Sequence, residues 1–186
     1  MLQDLIACNT PMAIALALVA TLSAWRVKPK HFRALSWPSI GIASTLFWGV
    51  FSALLIPFAW SFYYRFFVPS WYLYAAPAGA IALYSALGLL MRWAALRLPG
   101  NPNVVFCLLG GLESIPEHAI GIYGFDILQV PVLRGSTAAS IFLFAYFEYV
   151  VYWGAVLWLA IVVDRWLAVR RMRAAARQER PQDASG

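Results

Sequence analysis

The chain has 186 residues, of which 62% are hydrophobic and only 12% charged, with a formal net charge of +6 and a mean hydropathy of +0.70. This profile excludes an ordinary soluble domain and predicts an all-α, polytopic integral membrane bundle. The sequence has no nucleotide-binding loop, haem histidine pair, redox cysteine pair or serine-hydrolase elbow, and its two cysteines, Cys8 and Cys107, fall near opposite membrane faces, so neither a disulfide between them nor a cysteine zinc site is expected.

Apolar runs long enough to cross about 30 Å of hydrocarbon occur at residues 5–25, 38–60, 71–91, 104–125 and 136–163. They predict five transmembrane helices in a domain covering residues 1–164, followed by a basic, partly disordered tail at 165–186. The first run is read as retained rather than cleaved, because no Lys or Arg precedes it and Ala24-Trp25-Arg26 is not a small-residue cleavage site. Thr10 and Pro11 suit the N-cap and first turn of its helix.

Orientation follows from the bias of Lys and Arg toward cytoplasmic loops. Arg26, Lys28, Lys30 and Arg33 lie between the first two runs, Arg92 and Arg97 between the third and fourth, and the remaining cluster begins at Arg165 after the fifth. Only Arg65 and Arg134 of the 14 cations fall on the other side. The N-terminus is therefore expected outside and the C-terminus in the cytoplasm, as in a multi-pass protein of a bacterial inner membrane.

Trp25, Trp37, Trp93, Trp158 and Trp166 on one side, with the stretch Trp60 to Tyr74 on the other, read as interfacial belts. Gly41, Ser44, Thr45, Gly49 and Ser52 on the second run, and Ala76, Gly79, Ala80 and Ala82 on the third, suit close helix packing in lipid. The interleaved basic stretch after Asp164 suits a helix entering the headgroup layer, with anionic lipid headgroups as its partners, each cation near them contributing about 1 kcal/mol. Topology accounts for these cations, so nucleic acid is not an expected partner. The lack of an internal repeat disfavours an inverted-repeat transporter within one chain, while a homodimer or a larger membrane complex would remain compatible with the sequence.

The chemistry-bearing feature is acidic. Glu113 and Glu117 fall on the fourth run and Glu148 on the fifth, with no Lys or Arg at that depth. Glu113 lies about ten residues into its helix, roughly 15 Å at the α-helical rise. Glu148 reaches a similar depth from the opposite direction, and Glu117 shares the face of Glu113 one turn further out. Pro116 is expected to break the helix between them, and Gly110, Gly111, Gly121 and Gly124 to allow close approach or bending.

Three ionised carboxylates side by side are not sustainable in a dry bundle. Some must carry a proton, or a cation must neutralise them, and intramembrane acids of this kind mark functional sites. Glu113 and Glu148 are the expected acid/base pair, with Glu117 and His118 tuning proton supply. Ser114, one turn before His118, is expected to hydrogen-bond its ring. Tyr152 is the best supporting donor, one turn after Glu148, with Tyr149, Tyr123 and Tyr146 nearby. Asp126 and Arg134 bracket an apolar outer turn that would either dip over the acids as a lid or lie as an interfacial turn with a solvated ion pair. No cofactor is expected; the alternative is a divalent metal held by Glu113, Glu117, His118 and Glu148, although the paired Glu-x-x-His motifs of di-iron bundles are absent.

In general design, residues 107–128 resemble five-helix sterol isomerases and small integral-membrane terpene cyclases, in which buried acids act without a redox cofactor. The histidine and glutamate pattern of the sterol isomerases is replaced here by Glu113 and Glu117 and falls on the fourth run. The resemblance implies acid/base isomerase or cyclase chemistry on an apolar, isoprenoid-like or sterol-like small molecule. A proton- or cation-coupled carrier and an accessory subunit of a membrane complex are the competing expectations.

Overall fold

The computed structural model describes residues 5–50, 70–124 and 135–178. The second half of the second predicted span, most of the outer aromatic belt, the turn holding Asp126 and Arg134, and the end of the tail lie outside the described residues. Among the described residues the ordered elements are all helical: α1 (Leu5–Arg26), α2 (Pro29–Ala34), α3 (Trp37–Val50), α4 (Ser70–Ala95), α5 (Pro102–Ala119) and α6 (Ala138–Gln178), with a wider π-helical turn at Ile120–Gly124 closing α5. Three stretches among them, Ile6–Arg26, Pro102–Gly124 and Ala138–Ala176, are long and apolar enough to cross a membrane. Their outer surfaces agree with a hydrocarbon solvent, since Met12, Leu18, Val19 and Leu22 of α1 are more than half exposed.

Pro11 does not start a helix. It lies inside α1, and the Thr10 hydroxyl, instead of capping, donates back to the Ile6 carbonyl at 2.8 Å. A proline within an apolar helix is tolerated where Ser or Thr side chains satisfy freed backbone groups. Pro116 likewise does not break α5, which runs on to Ala119; the irregularity comes one turn later, where the helix widens at Ile120–Gly124. α5 starts as its sequence dictates, with the Asn101 side chain accepting from the Asn103 amide at 3.0 Å and Pro102 in the first turn, where its missing N–H costs nothing.

The helix ends are tied together at one level. Asn103 Nδ2 donates to the Val27 carbonyl at 2.9 Å, joining the start of α5 to the end of α1. Arg92 at the end of α4 donates through Nη2 to the Leu35 carbonyl while its guanidinium stacks over Trp37 at 4.2 Å. Asp164 of α6 accepts from Ser36 N at 3.0 Å, Ser36 Oγ at 2.8 Å and Ser39 Oγ at 2.6 Å, fixing the start of α3. The loops that the cation bias assigns to one membrane side therefore do meet at one end of the bundle. With 41 residues, α6 is about 60 Å long, about twice the hydrocarbon thickness, so its basic last third, beginning near Asp164, extends beyond the apolar layer.

α6 is the central helix, packing against α1, α3 and α5. Close approach of α5 depends on two adjacent glycines: a Cβ on Gly110 would lie 2.0 Å from Trp153 Cδ1, and one on Gly111 would lie 2.7 Å from Val150 Cγ2 and 2.8 Å from Tyr146 Cε2. The α3–α4 seam uses the predicted small residues, with Thr45 and Ser85 hydroxyls bonded to each other and Ser44 seated against Gly88. Gly79 has open space around it instead. Trp48, Trp153, Phe32 and Phe106 fill the core.

Candidate acidic site

Helical spacing puts Glu113 and Glu117 on one face of α5, and that face turns toward α4 and α6. Tyr84 of α4 donates its hydroxyl to Glu117 Oε1. The Tyr84 and Tyr149 hydroxyls are 3.4 Å apart, so a short chain of polar groups runs from α6 through α4 to α5. Glu113 sits beside Glu117 and beside the Trp153 indole, without a well-aligned bond to the indole, and Glu113 Oε2 and Glu117 Oε2 have no hydrogen-bond partner among the described residues.

Aromatic rings wall this cluster. Trp48 stacks on Tyr84 with centroids 3.9 Å apart and planes 10° from parallel, and lies 5.3 Å from Tyr149 and 5.8 Å from Trp153. His118 meets Tyr149 edge-on at 5.6 Å. Such walls, almost fully buried themselves, keep water from the two carboxyls.

The His118 ring bonds Ser114, but through the backbone carbonyl, 2.9 Å from Nδ1; the Ser114 hydroxyl is used by the Gly111 carbonyl at 2.7 Å. A carbonyl only accepts, so Nδ1 carries the hydrogen and, in the neutral ring, Nε2 is the basic nitrogen.

Among the described residues, Glu148 is not hydrogen-bonded into this cluster. Tyr152 donates to Glu148 Oε1, the contact that the one-turn spacing predicts. The side chain lines a cleft of about 290 Å³ between α1 and α6, with Asn9, Met12, Leu16, Phe144 and Val151. Opposed Glu113 and Glu148 carboxyls are therefore not what the packing produces. Tyr146, Val150 and Trp153 are the α6 residues seated on Gly110 and Gly111. Residue 148 is two positions from 146 and from 150, about 200° around the helix from each, which turns it toward α1.

Among the described residues no group of three His, Cys, Asp or Glu side chains is arranged to hold a metal ion, so the alternative ligand set Glu113, Glu117, His118 and Glu148 is not assembled as one centre. Asp126 and Arg134 lie outside the described residues. Sequence reasoning missed Tyr84, Trp48 and Trp153. Their signal was present only as aromatic residues in runs otherwise read as packing faces.

No protein-family model matches the chain, no curated protein is significantly similar to it, and no solved structure matches it.

Proposed function

We propose that the chain is an integral membrane enzyme that uses buried carboxyl groups for acid/base chemistry, isomerase-like or cyclase-like, on an apolar lipid or isoprenoid substrate. The observation that carries this reading is the Glu113–Glu117 pair, enclosed by aromatic rings, backed on one side by Tyr84, and presenting one unpartnered oxygen on each carboxyl. Neighbouring carboxyls that share protons supply an acid and a base within one site. Tyr84 donates to one oxygen of Glu117 and leaves the other open, and Glu113 likewise presents an open oxygen, so the two carboxyls can divide the donor and acceptor roles between them.

A substrate entering laterally through the cleft between α1 and α6 would meet Glu148 and Tyr152, which line it, before the enclosed Glu113–Glu117 pair, which does not. The same reading includes five spans, an outside N-terminus, a cytoplasmic C-terminal tail and a multi-pass location in a bacterial inner membrane. The test is lipid and isoprenoid profiling of cells expressing the wild type, Glu113→Gln and Glu117→Gln at matched levels. A product lost in both variants supports the enzyme; an unchanged profile with folded protein removes it.

A proton-coupled carrier, acting as a homodimer, is favoured by one observation: the Tyr149 and Tyr152 rings, 5.6 Å apart, link the enclosed Glu117 side of α6 to the more open Glu148 side. Acids joined by hydroxyl-bearing residues suit proton relay. Substrate uptake into vesicles that ignores an imposed pH gradient rules against it.

A further inference from the structure

A second cavity, of about 480 Å³, lies at the end of the bundle where the helix termini converge, remote from the acids. Its polar lining is basic: Arg26 from the end of α1, Lys28 from the following turn, His31 from α2 and Arg165 from α6. All four side chains are exposed, and among the described residues none is ion-paired. The one acid on the wall, Asp164, has its Oδ1 occupied by Ser36 and Ser39, so three fixed cations outweigh it.

The remaining wall is apolar, formed chiefly by Trp158 and Ile161. Trp158 is 46% exposed and continues into the outward surface of α6 through Val162, 60% exposed. Trp25 and Trp166, also exposed, sit at the same end, where indoles partition to the headgroup level. A concave site at that level with cations on one side and an apolar flank open to the acyl layer matches a phosphodiester attached to hydrocarbon.

We propose that this cleft binds the phosphate headgroup of an anionic phospholipid, with Arg26, Lys28 and Arg165 on the phosphate and Trp158 and Ile161 against the glycerol and first acyl carbons. The site takes only Arg165 from the start of the basic stretch, draws its other cations from the α1–α2 turn, and does not depend on the acid/base reading of the Glu113–Glu117 cluster. Its apolar flank favours lipid over free phosphate, which would gain nothing from Trp158.

The test uses the full chain in a zwitterionic detergent at fixed ionic strength, titrated with dihexanoyl-phosphatidylglycerol, dihexanoyl-phosphatidylcholine or inorganic phosphate and read by native mass spectrometry and tryptophan fluorescence. One tightly retained phosphatidylglycerol, with phosphatidylcholine bound far more weakly, is expected. Arg26→Gln and Arg165→Gln should each weaken binding about fivefold, as expected for one cation near an anionic headgroup, while Arg173→Gln on the exposed end of α6 leaves it unchanged. Lys28→Gln, in an exposed turn, repeats the test without touching a helix. Equal binding of both lipids, or equal loss in Arg173→Gln, overturns the site; displacement of phosphatidylglycerol by inorganic phosphate at equal concentration overturns the lipid assignment.

Discussion

The hydroxyl of Tyr84 donates to Oε1 of Glu117, tying α4 to α5 inside the bundle across 33 residues of sequence. Tyr84→Phe removes that donor while keeping the ring stacked on Trp48. Hydrogen bonds to charged groups contribute about 1.5–3 kcal/mol, so thermal unfolding in detergent should show a loss of that order. Infrared difference spectra should also show a change in the protonated-carboxyl band, whereas a purely structural tyrosine would leave that band alone.

Glu113 and Glu117 should behave as one unit. Glu113→Gln and Glu117→Gln, alone and combined, form a double-mutant cycle whose coupling should reach about 0.5–3 kcal/mol, the range for residues in contact. Additive effects on unfolding would mean that the two carboxyls do not share a proton or a field.

The α5–α6 seam gives a steric prediction. Gly110→Ala places a methyl group 2.0 Å from a Trp153 ring atom, and overpacking of this kind costs about 1–3 kcal/mol. Gly41→Ala meets nothing within 4 Å and should be neutral or gain roughly 0.5–1 kcal/mol from helix propensity. Denaturation curves should therefore shift to lower stability for Gly110→Ala and stay in place or shift to higher stability for Gly41→Ala.

Much of this arrangement was legible in the sequence, and the limits have physical causes. Three of the five apolar runs as long membrane-length helices, the Tyr152–Glu148 contact and the meeting of the basic loops follow from spacing and from the asymmetry of Lys and Arg. The partners of the acids did not, because Tyr84 and Trp48 come from other helices and periodicity gives an angle around one helix without naming its neighbour. Glu148 shows this directly: depth was readable, but facing depended on which α6 residues fill the Gly110–Gly111 notch. Pro11 was read as a first-turn residue and Pro116 as a break inside its span because proline interrupts helices in water, whereas in apolar surroundings the helix runs past both.

Asp164 supplies a pH dependence. Burial pushes its carboxyl upward, but hydrogen bonds from Ser39 and Ser36 and the nearby Arg171 outweigh that and hold it below the usual carboxylate range. Arg92 of α4 also faces it. A lowered folded-state value means that the stabilisation is fully present above the unfolded value, near pH 4, and is lost as pH falls through the folded one. Melting temperature should drop on acidification in the wild type and less steeply in Asp164→Asn.

Orientation can be read from two positions at opposite ends. In a background lacking Cys8 and Cys107, Gly135→Cys should react with a membrane-impermeant maleimide on intact cells. Lys28→Cys should react only after permeabilisation. The reverse pattern would invert the topology.

The fit of Trp153 into the notch at Gly110 also restricts how the molecule moves. A ring lodged against a bare backbone acts as a key: sliding α6 along α5 by even one residue, about 1.5 Å, drives the indole into the next side chain. Axial sliding is thereby blocked, and α5 and α6 travel as a rigid pair. The wall of the Glu148 cleft opposite that rigid pair is the first half of α1, whose far end Asn103 and Asn101 pin to the start of α5, so a wider cleft would require α1 to tilt about that pinned end.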